Sequence, residues 1–137
     1  MITAIDTNVL IDVLAADSRY LDKSLAALRT CAESGQLVVC EIVLAEVARY
    51  FDSLEKLQQT FDQLNIMREP LGEAACFAAG QVFRAYRKQG ATRDRVLADF
   101  LIAAHAQTRC TRLLTRDRGF YRNYFPDLDI LDPSTKS

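Results

Sequence analysis

The chain has 137 residues, half of them apolar and about a quarter charged, with a net charge of −1. That length suits one domain able to bury a real core, with the composition of an ordinary soluble globular protein. No apolar stretch approaches the ~18 residues of a spanning helix, and the N-terminus lacks the zones of a signal peptide, so a cytoplasmic protein is expected.

The four cysteines, Cys31, Cys40, Cys76 and Cys110, are widely spaced and form no CxxC pair. Each has apolar or small neighbours, which predicts reduced, mostly buried thiols rather than zinc or disulfides. Charge is unevenly spread. From Arg84 to Arg122 there are ten Lys and Arg against three acids. Such a segment suits a polyanion footprint, and a set of solvated helix faces explains it equally well.

In chain order, Ile2–Ile5 reads as a short buried strand that stops at Asp6. Helical patterns follow over Asn8–Ala15 and Leu21–Cys31, the second with Leu21, Leu25 and Leu28 on one face and Gly35 as its stop. Leu37–Cys40 is a second apolar run, and Glu41–Phe51 is too long and too rich in Ala and Glu for a strand, so a helix is expected. Ser53 suits an N-cap before Leu54, Leu57, Phe61 and Leu64 at helical spacing. Leu64–Met67 reads as a third strand. Glu73–Gln89 reads as a strong helix with Ala75, Ala78, Ala79, Val82 and Tyr86 along one side and Gly90 at its end. Thr92 or Asp94 suits the cap of a helix over Arg95–Gln107. Arg112–Thr115 reads as a strand, Gly119–Tyr124 as a short helix and Leu128–Leu131 as a last strand. Short apolar strands alternating with helices predict an α/β domain over residues 1–132, a mostly parallel sheet covered on both faces, with a tail from 133 to 137. Ligands of such sheets bind at the carboxyl ends of the strands, where strand order reverses.

Four carboxylates stand in apolar company: Asp6 at a strand end, Glu46 inside "IVLAEVA", Asp99 inside "VLADFLIAA" and Asp117 just beyond "RLLT". Each has a structural explanation. Asp6 and Asp117 suit helix caps, Asp99 can pair with Arg95, and Glu46 with Arg49. Together they suit something else. If the strands of Asp6 and Asp117 are neighbours, as in the order 3-2-1-4-5, both acids flank the switch-point crevice. Carboxylates gathered in an apolar wall repel, and must protonate or bind a cation. Oxygen-only ligands select a hard ion, Mg²⁺ or Mn²⁺.

The blocks "AIDTNVLIDVL", "EIVLAEV", "RVLADFLIAAHA" and "LLTRDRGFYRNYF" resemble, in order, the signature blocks of the PIN-domain ribonucleases, especially VapC-type toxins of bacterial toxin–antitoxin pairs. The resemblance covers nearly the whole chain. It implies a three-layer α/β/α fold with the 3-2-1-4-5 sheet. It places the family's acidic quartet at Asp6, Glu46, Asp99 and Asp117, as catalytic residues holding one or two Mg²⁺ or Mn²⁺ ions for RNA hydrolysis. Asn8 and Thr115 match polar positions beside the metal, where they would bind a metal water or orient a carboxylate; as local helix and turn caps they are explained equally well. One departure is Glu41 after Cys40, where a Ser or Thr is expected at the helix start.

The same resemblance gives the basic stretch a use, with Arg93, Arg95, Arg116 and Arg118 as candidates to hold RNA phosphates. Arg93 and Arg95 can instead neutralise the acidic pocket. It also implies a homodimer and a small VapB-type antitoxin, for which Tyr50, Phe51, Leu54, Leu57 and Phe61 offer a groove or, alternatively, intramolecular core. His105, the only histidine, lies six positions after Asp99, about 240° around a helix, and is expected to pack or face solvent rather than act. Two other readings compete. A degenerate PIN domain would bind RNA or protein without catalysis. A Mg²⁺-dependent phosphatase or phospho-receiver would use Asp6 as nucleophile, but the phosphatase pattern wants an acid where Asn8 stands.

Overall fold

The computed structural model describes residues 1–90 and 96–135. Five strands form one sheet: β1 (Ile2–Ile5), β2 (Gln36–Val39), β3 (Ile66–Arg68), β4 (Arg112–Leu114) and β5 (Ile130–Leu131). Their order is β3-β2-β1-β4-β5, and every pairing is parallel. Helices flank the sheet on both faces, giving the expected three-layer α/β/α architecture with the 3-2-1-4-5 order. They are α1 (Thr7–Leu14), α2 (Leu21–Ser34), α3 (Glu41–Val47), α4 (Leu54–Gln63), α5 (Gly72–Lys88), α6 (Val96–Arg109) and α7 (Arg118–Tyr124). Among the described residues no helix is long and apolar enough to cross a membrane.

The strands are apolar because the sheet is covered on both faces. Val38, Val39, Leu113 and Leu114 are all buried, as are Ala4 and Ile5 of the central strand. β1 sits between β2 and β4, with Thr3 opposite Leu37 on one side and Arg112 on the other. The chain leaves β1 at Asp6, whose backbone N–H still donates to the Leu114 carbonyl at 2.9 Å. This last bond aligns the carboxyl ends of β1 and β4.

A second apolar centre lies where α5 packs along α6. Phe100, fully buried, meets Tyr86 edge-on at 5.6 Å and stacks on Phe120 at 6.0 Å, with Tyr124 at 5.1 Å. Offset and edge-to-face pairs of this kind are favourable beyond their burial. The cluster fixes α6 and α7 to each other, and so fixes the elements that carry Asp99 and precede or follow Asp117.

Several boundaries differ from the sequence expectation, each for a local reason. The expected helix Glu41–Phe51 ends at Val47; Ala48–Tyr50 form a 3-10 turn, and Phe51 becomes extended to meet Phe61 edge-on at 6.3 Å. The third strand begins at Ile66 rather than Leu64, because Leu64 still ends α4 and Asn65 adopts the left-handed conformation (φ 55°) that Asn tolerates. The last strand shrinks to two residues because Phe125–Leu128 forms a turn closed by the Leu128 N–H to the Phe125 carbonyl. Ser53 caps α4, accepting from the Lys56 N–H at 3.1 Å. The expected caps Thr92 and Asp94 lie outside the described residues, as does the start of that helix at Arg95.

All four cysteines are free thiols. Cys31 and Cys40 are buried and Cys110 is partly so, while Cys76 is exposed on α5. His105 is buried against the sheet, and its Nε2 has no hydrogen-bond partner among the described residues. Burial holds its pKa below the ordinary value of 6.5, with Arg109 adding to the effect and Glu69 and Glu41 opposing it.

Two outcomes follow. A Cβ added at Gly35 would stand 1.9 Å from the Met1 carbonyl oxygen, the acceptor of the Gln36 N–H that opens the β1–β2 ladder. Gly35→Ala is therefore expected to lower stability by about 1–3 kcal/mol in urea denaturation, as forced overpacking does. His105 favours folding fully above pH 6.5, because the unfolded chain takes up the proton first below that value. The melting temperature should fall as pH drops from 7 to 5, and His105→Gln should flatten that part of the profile.

Candidate active site

Asp6 is the residue on which the carboxyl edge of the sheet converges. It occupies the N-cap of α1, and its Oδ1 accepts from the Thr7 N–H at 2.7 Å. Its Oδ2 accepts from the Thr115 hydroxyl at 2.8 Å and, at a longer 3.5 Å, from Asn8 Nδ2. Thr115 uses its whole hydrogen-bonding capacity here. While donating to Asp6 it accepts from Asn8 Nδ2 at 3.3 Å and from the Asp117 N–H at 3.0 Å. Asn8 closes the ring by accepting the Arg116 N–H on its Oδ1 at 3.2 Å. Asn8 and Thr115 therefore hydrogen-bond the Asp6 carboxylate and also close the turn after β4.

Asp6 is only 5 % exposed. Burial raises its pKa above the ordinary 3.8; the Thr115 and Tyr121 hydroxyls and the Thr7 N–H oppose that rise, and the charge of Glu46 adds to it. Glu46 stands on α3, exposed, and is held by the Thr7 hydroxyl at 2.6 Å. Arg49, offered by the sequence as its partner, donates instead to the Tyr50 hydroxyl, and Arg49 and Glu46 share a hollow with Thr7. Asp117 is exposed at the N-cap position of α7, but its side chain makes no capping bond. Asp99 lies partly buried in the first turn of α6.

Tyr121 ties these acids together, and the sequence reading passed over it. Its ring is 1 % exposed, and its hydroxyl is pushed well above the ordinary range by burial and then by the charges of Asp6, Asp99 and Asp117. The signal was present: Tyr121 lies four residues after Asp117, one helical turn on. Thus the charge of Glu46 bears on Asp6, and the charges of Asp6, Asp99 and Asp117 bear on the Tyr121 hydroxyl.

The basic candidates divide. The Arg116 guanidinium is taken up by Asp12, at 2.7 and 2.9 Å. Arg118 is partly buried, with an Nε that has no hydrogen-bond partner among the described residues. Arg93 and Arg95 lie outside the described residues. His105 is influenced by Glu69, Arg109 and Glu41, and by none of the four acids. Glu41, where a hydroxyl residue was expected, accepts the Leu71 N–H at 2.9 Å and so ties the start of α3 to the segment before α5. A hollow of about 630 Å³ lies by Gly35, Asn65 and Ile66 at the amino ends of β2 and β3, and none of the four acids lines it.

The donors offered at the acidic edge are oxygens only. Among the described residues no three His, Cys, Asp or Glu side chains form a ready-made metal cage. That arrangement suits a hard, hydrated ion, since Mg²⁺ takes one or two carboxylates and keeps several waters. It does not suit zinc, which wants four close N or S ligands.

A family model described as the PIN domain matches residues 3–126. Comparison with curated proteins found no match. Similar solved structures include VapBC2 from Rickettsia felis bound to a DNA fragment from their promoter, at 22% identity and a TM-score of 0.72, covering 96% of this chain and 98% of that one. VapBC-1 from nontypeable Haemophilus influenzae matches at 20% identity and 0.72, over 98% and 100%. A toxin–antitoxin complex from Klebsiella pneumoniae matches at 20% and 0.66, over 98% and 99%. The family match takes in Asp6, Glu46, Asp99 and Asp117 together with every strand up to β4, and the chain belongs to the PIN-domain family.

Proposed function

We propose that this chain is a metal-dependent endoribonuclease that hydrolyses RNA phosphodiester bonds and serves as the toxin of a toxin–antitoxin pair. The observation that carries the reading is Asp6, buried and oriented by Thr115 and Asn8 at the carboxyl edge of a PIN-fold sheet, with Glu46 held by the neighbouring Thr7. Family membership supports nuclease chemistry. The toxin–antitoxin assemblies named for the structural neighbours support a small VapB-type antitoxin as partner. A homodimer in the cytoplasm fits the same reading.

Asp6, Asp99 and Asp117, with Glu46 in support, would hold Mg²⁺ or Mn²⁺. When bound, such an ion supplies polarisation of the phosphate and a water of lowered pKa. The protein's own part is orientation. Thr115 and Asn8 fix the Asp6 carboxylate, so its direction is set before substrate arrives. Thr7 holds Glu46, and the Glu46 charge bears on Asp6. The raised pKa of Asp6 reflects the burial and like charges that a cation would offset. Arg118, next to Asp117, is the basic residue of this edge best placed to meet a phosphate.

The test is cleavage of a panel of structured RNAs with Mn²⁺ and with EDTA. Wild type should cleave only with Mn²⁺. Asp6→Asn and Asp99→Asn should each lower cleavage by about 10²-fold or more while circular dichroism stays unchanged. Thermal melting gives a second readout: Mn²⁺ should raise the melting temperature of wild type and not of either variant. RNA bound but never cleaved, with Mn²⁺ or without, would point to the binding-module reading instead.

A further inference from the structure

Asp12 is 2 % exposed in the middle of α1, where a lone charge is costly. It is matched by a forked pair with Arg116, Nε to Oδ2 at 2.7 Å and Nη2 to Oδ1 at 2.9 Å. The fully buried Ser24 of α2 adds its hydroxyl to Oδ2 at 2.7 Å. The guanidinium carbon lies 3.9 Å from the centre of the Tyr20 ring. A bidentate, stacked arginine is a geometric device as much as a charge pair.

Its place in the chain gives it a consequence for the acidic edge. Arg116 lies between Thr115, which donates to Asp6, and Asp117. Its peptide N–H donates to Asn8 and its side chain to Asp12. Asn8 and Asp12 are four residues apart, so they share a face of α1. The turn after β4 is thus fastened to α1 at two points one helical turn apart. Asp6 caps that same helix. The Asp117 side chain makes no capping bond of its own. The Asp12–Arg116 fork thus holds in place a turn that the Asp117 side chain does not itself secure.

We propose that Asp12 and Arg116, with Tyr20 stacked on the guanidinium, form a clamp that positions Asp117 against Asp6, making Arg116 a positioning residue rather than an RNA phosphate ligand. The inference rests on the nuclease reading above for its effect on rate, but not for its effect on the turn.

The experiment compares wild type, Asp12→Asn, Arg116→Lys and the double variant in steady-state RNA cleavage with Mn²⁺, alongside amide hydrogen exchange. Arg116→Lys keeps a cation for phosphate but loses the fork. Asp12→Asn leaves Arg116 intact and frees it for RNA. Each should lower kcat by about tenfold to a hundredfold, as small misplacements do. KM and the salt dependence of binding should hold within about twofold, and the double variant should fall no further than either single one. The Arg116 and Asp117 amides should exchange about tenfold faster in both single variants. Gly35→Ala, destabilised at the opposite end of the strands, serves as the control and should keep its kcat well below its melting temperature. A raised KM and weakened salt dependence for Arg116→Lys, with Asp12→Asn at wild-type rate, would make Arg116 a phosphate ligand and overturn the clamp. Unchanged Arg116 and Asp117 exchange in Asp12→Asn would overturn it as well, should the variant fold. If that variant does not fold, Arg116→Lys decides by the same exchange. Absence of cleavage by wild type would fall on the nuclease reading, leaving the clamp to be judged by exchange alone.

Discussion

The bond from the Thr115 hydroxyl to Asp6, 2.8 Å long, is the contact on which the carboxyl edge depends. It crosses from β1 to the end of β4, the two strands at the centre of the order β3-β2-β1-β4-β5. Because Thr115 also accepts from the Asp117 N–H, one hydroxyl sets a carboxylate on one strand end and the backbone of the next acid on its neighbour. A carboxylate buried to this degree is costly without donors. The N-terminus of α1 and the Thr115 hydroxyl supply them, and the helix dipole favours the same negative charge. The pattern of an apolar strand ending abruptly in a charge follows from this: the strand must be rigid, and the charge must be met at once.

The acids are therefore neither a simple surface cluster nor a finished metal cage. Burial and Glu46 push the Asp6 pKa upward while hydrogen bonds pull it down. Tyr121, deeply buried, keeps its proton because burial and the charges of Asp6, Asp99 and Asp117 disfavour a phenolate. It contributes a neutral wall where another ionised group would add repulsion. Burial and the nearby Glu46 charge thus act on Asp6 in the same direction, which a helix cap alone would not do.

The fold was largely legible in the sequence, because parallel strands buried on both faces leave continuous apolar runs such as Leu37–Cys40, and because Ser53 and Gly90 punctuate helices in the usual way. What stayed hidden was set by contacts between distant residues. The break after Val47 depends on Phe51 meeting Phe61, and the late start of β3 depends on Asn65 turning left-handed. At the candidate site the acids stood out as charges in apolar company. Tyr121 did not, since an aromatic residue on a short helix near Pro126 reads as core. Among the proposed groove residues, Leu57 and Phe61 proved to be core and Phe51 packs on Phe61, while Tyr50 and Leu54 are exposed. A helical period marks which face is apolar but not how much of that face a neighbouring element covers.

The basic stretch shows where charge counting misleads. Within it, Arg109 pairs with Glu69 at 2.6 Å, Arg112 donates to the buried Thr3 hydroxyl and to Cys31, and Arg116 forks onto Asp12. Two of those partners are acids outside the segment, so part of its positive excess balances negative charge that sequence position had separated from it. These three arginines bind helices to strands and turns, and a planar donor fork suits that task better than a lysine would. Arg118 differs, because its Nε lacks a partner among the described residues while lying next to Asp117. The positive excess of this stretch is thus narrower in the fold than in the sequence, because part of it is taken up in these internal pairs.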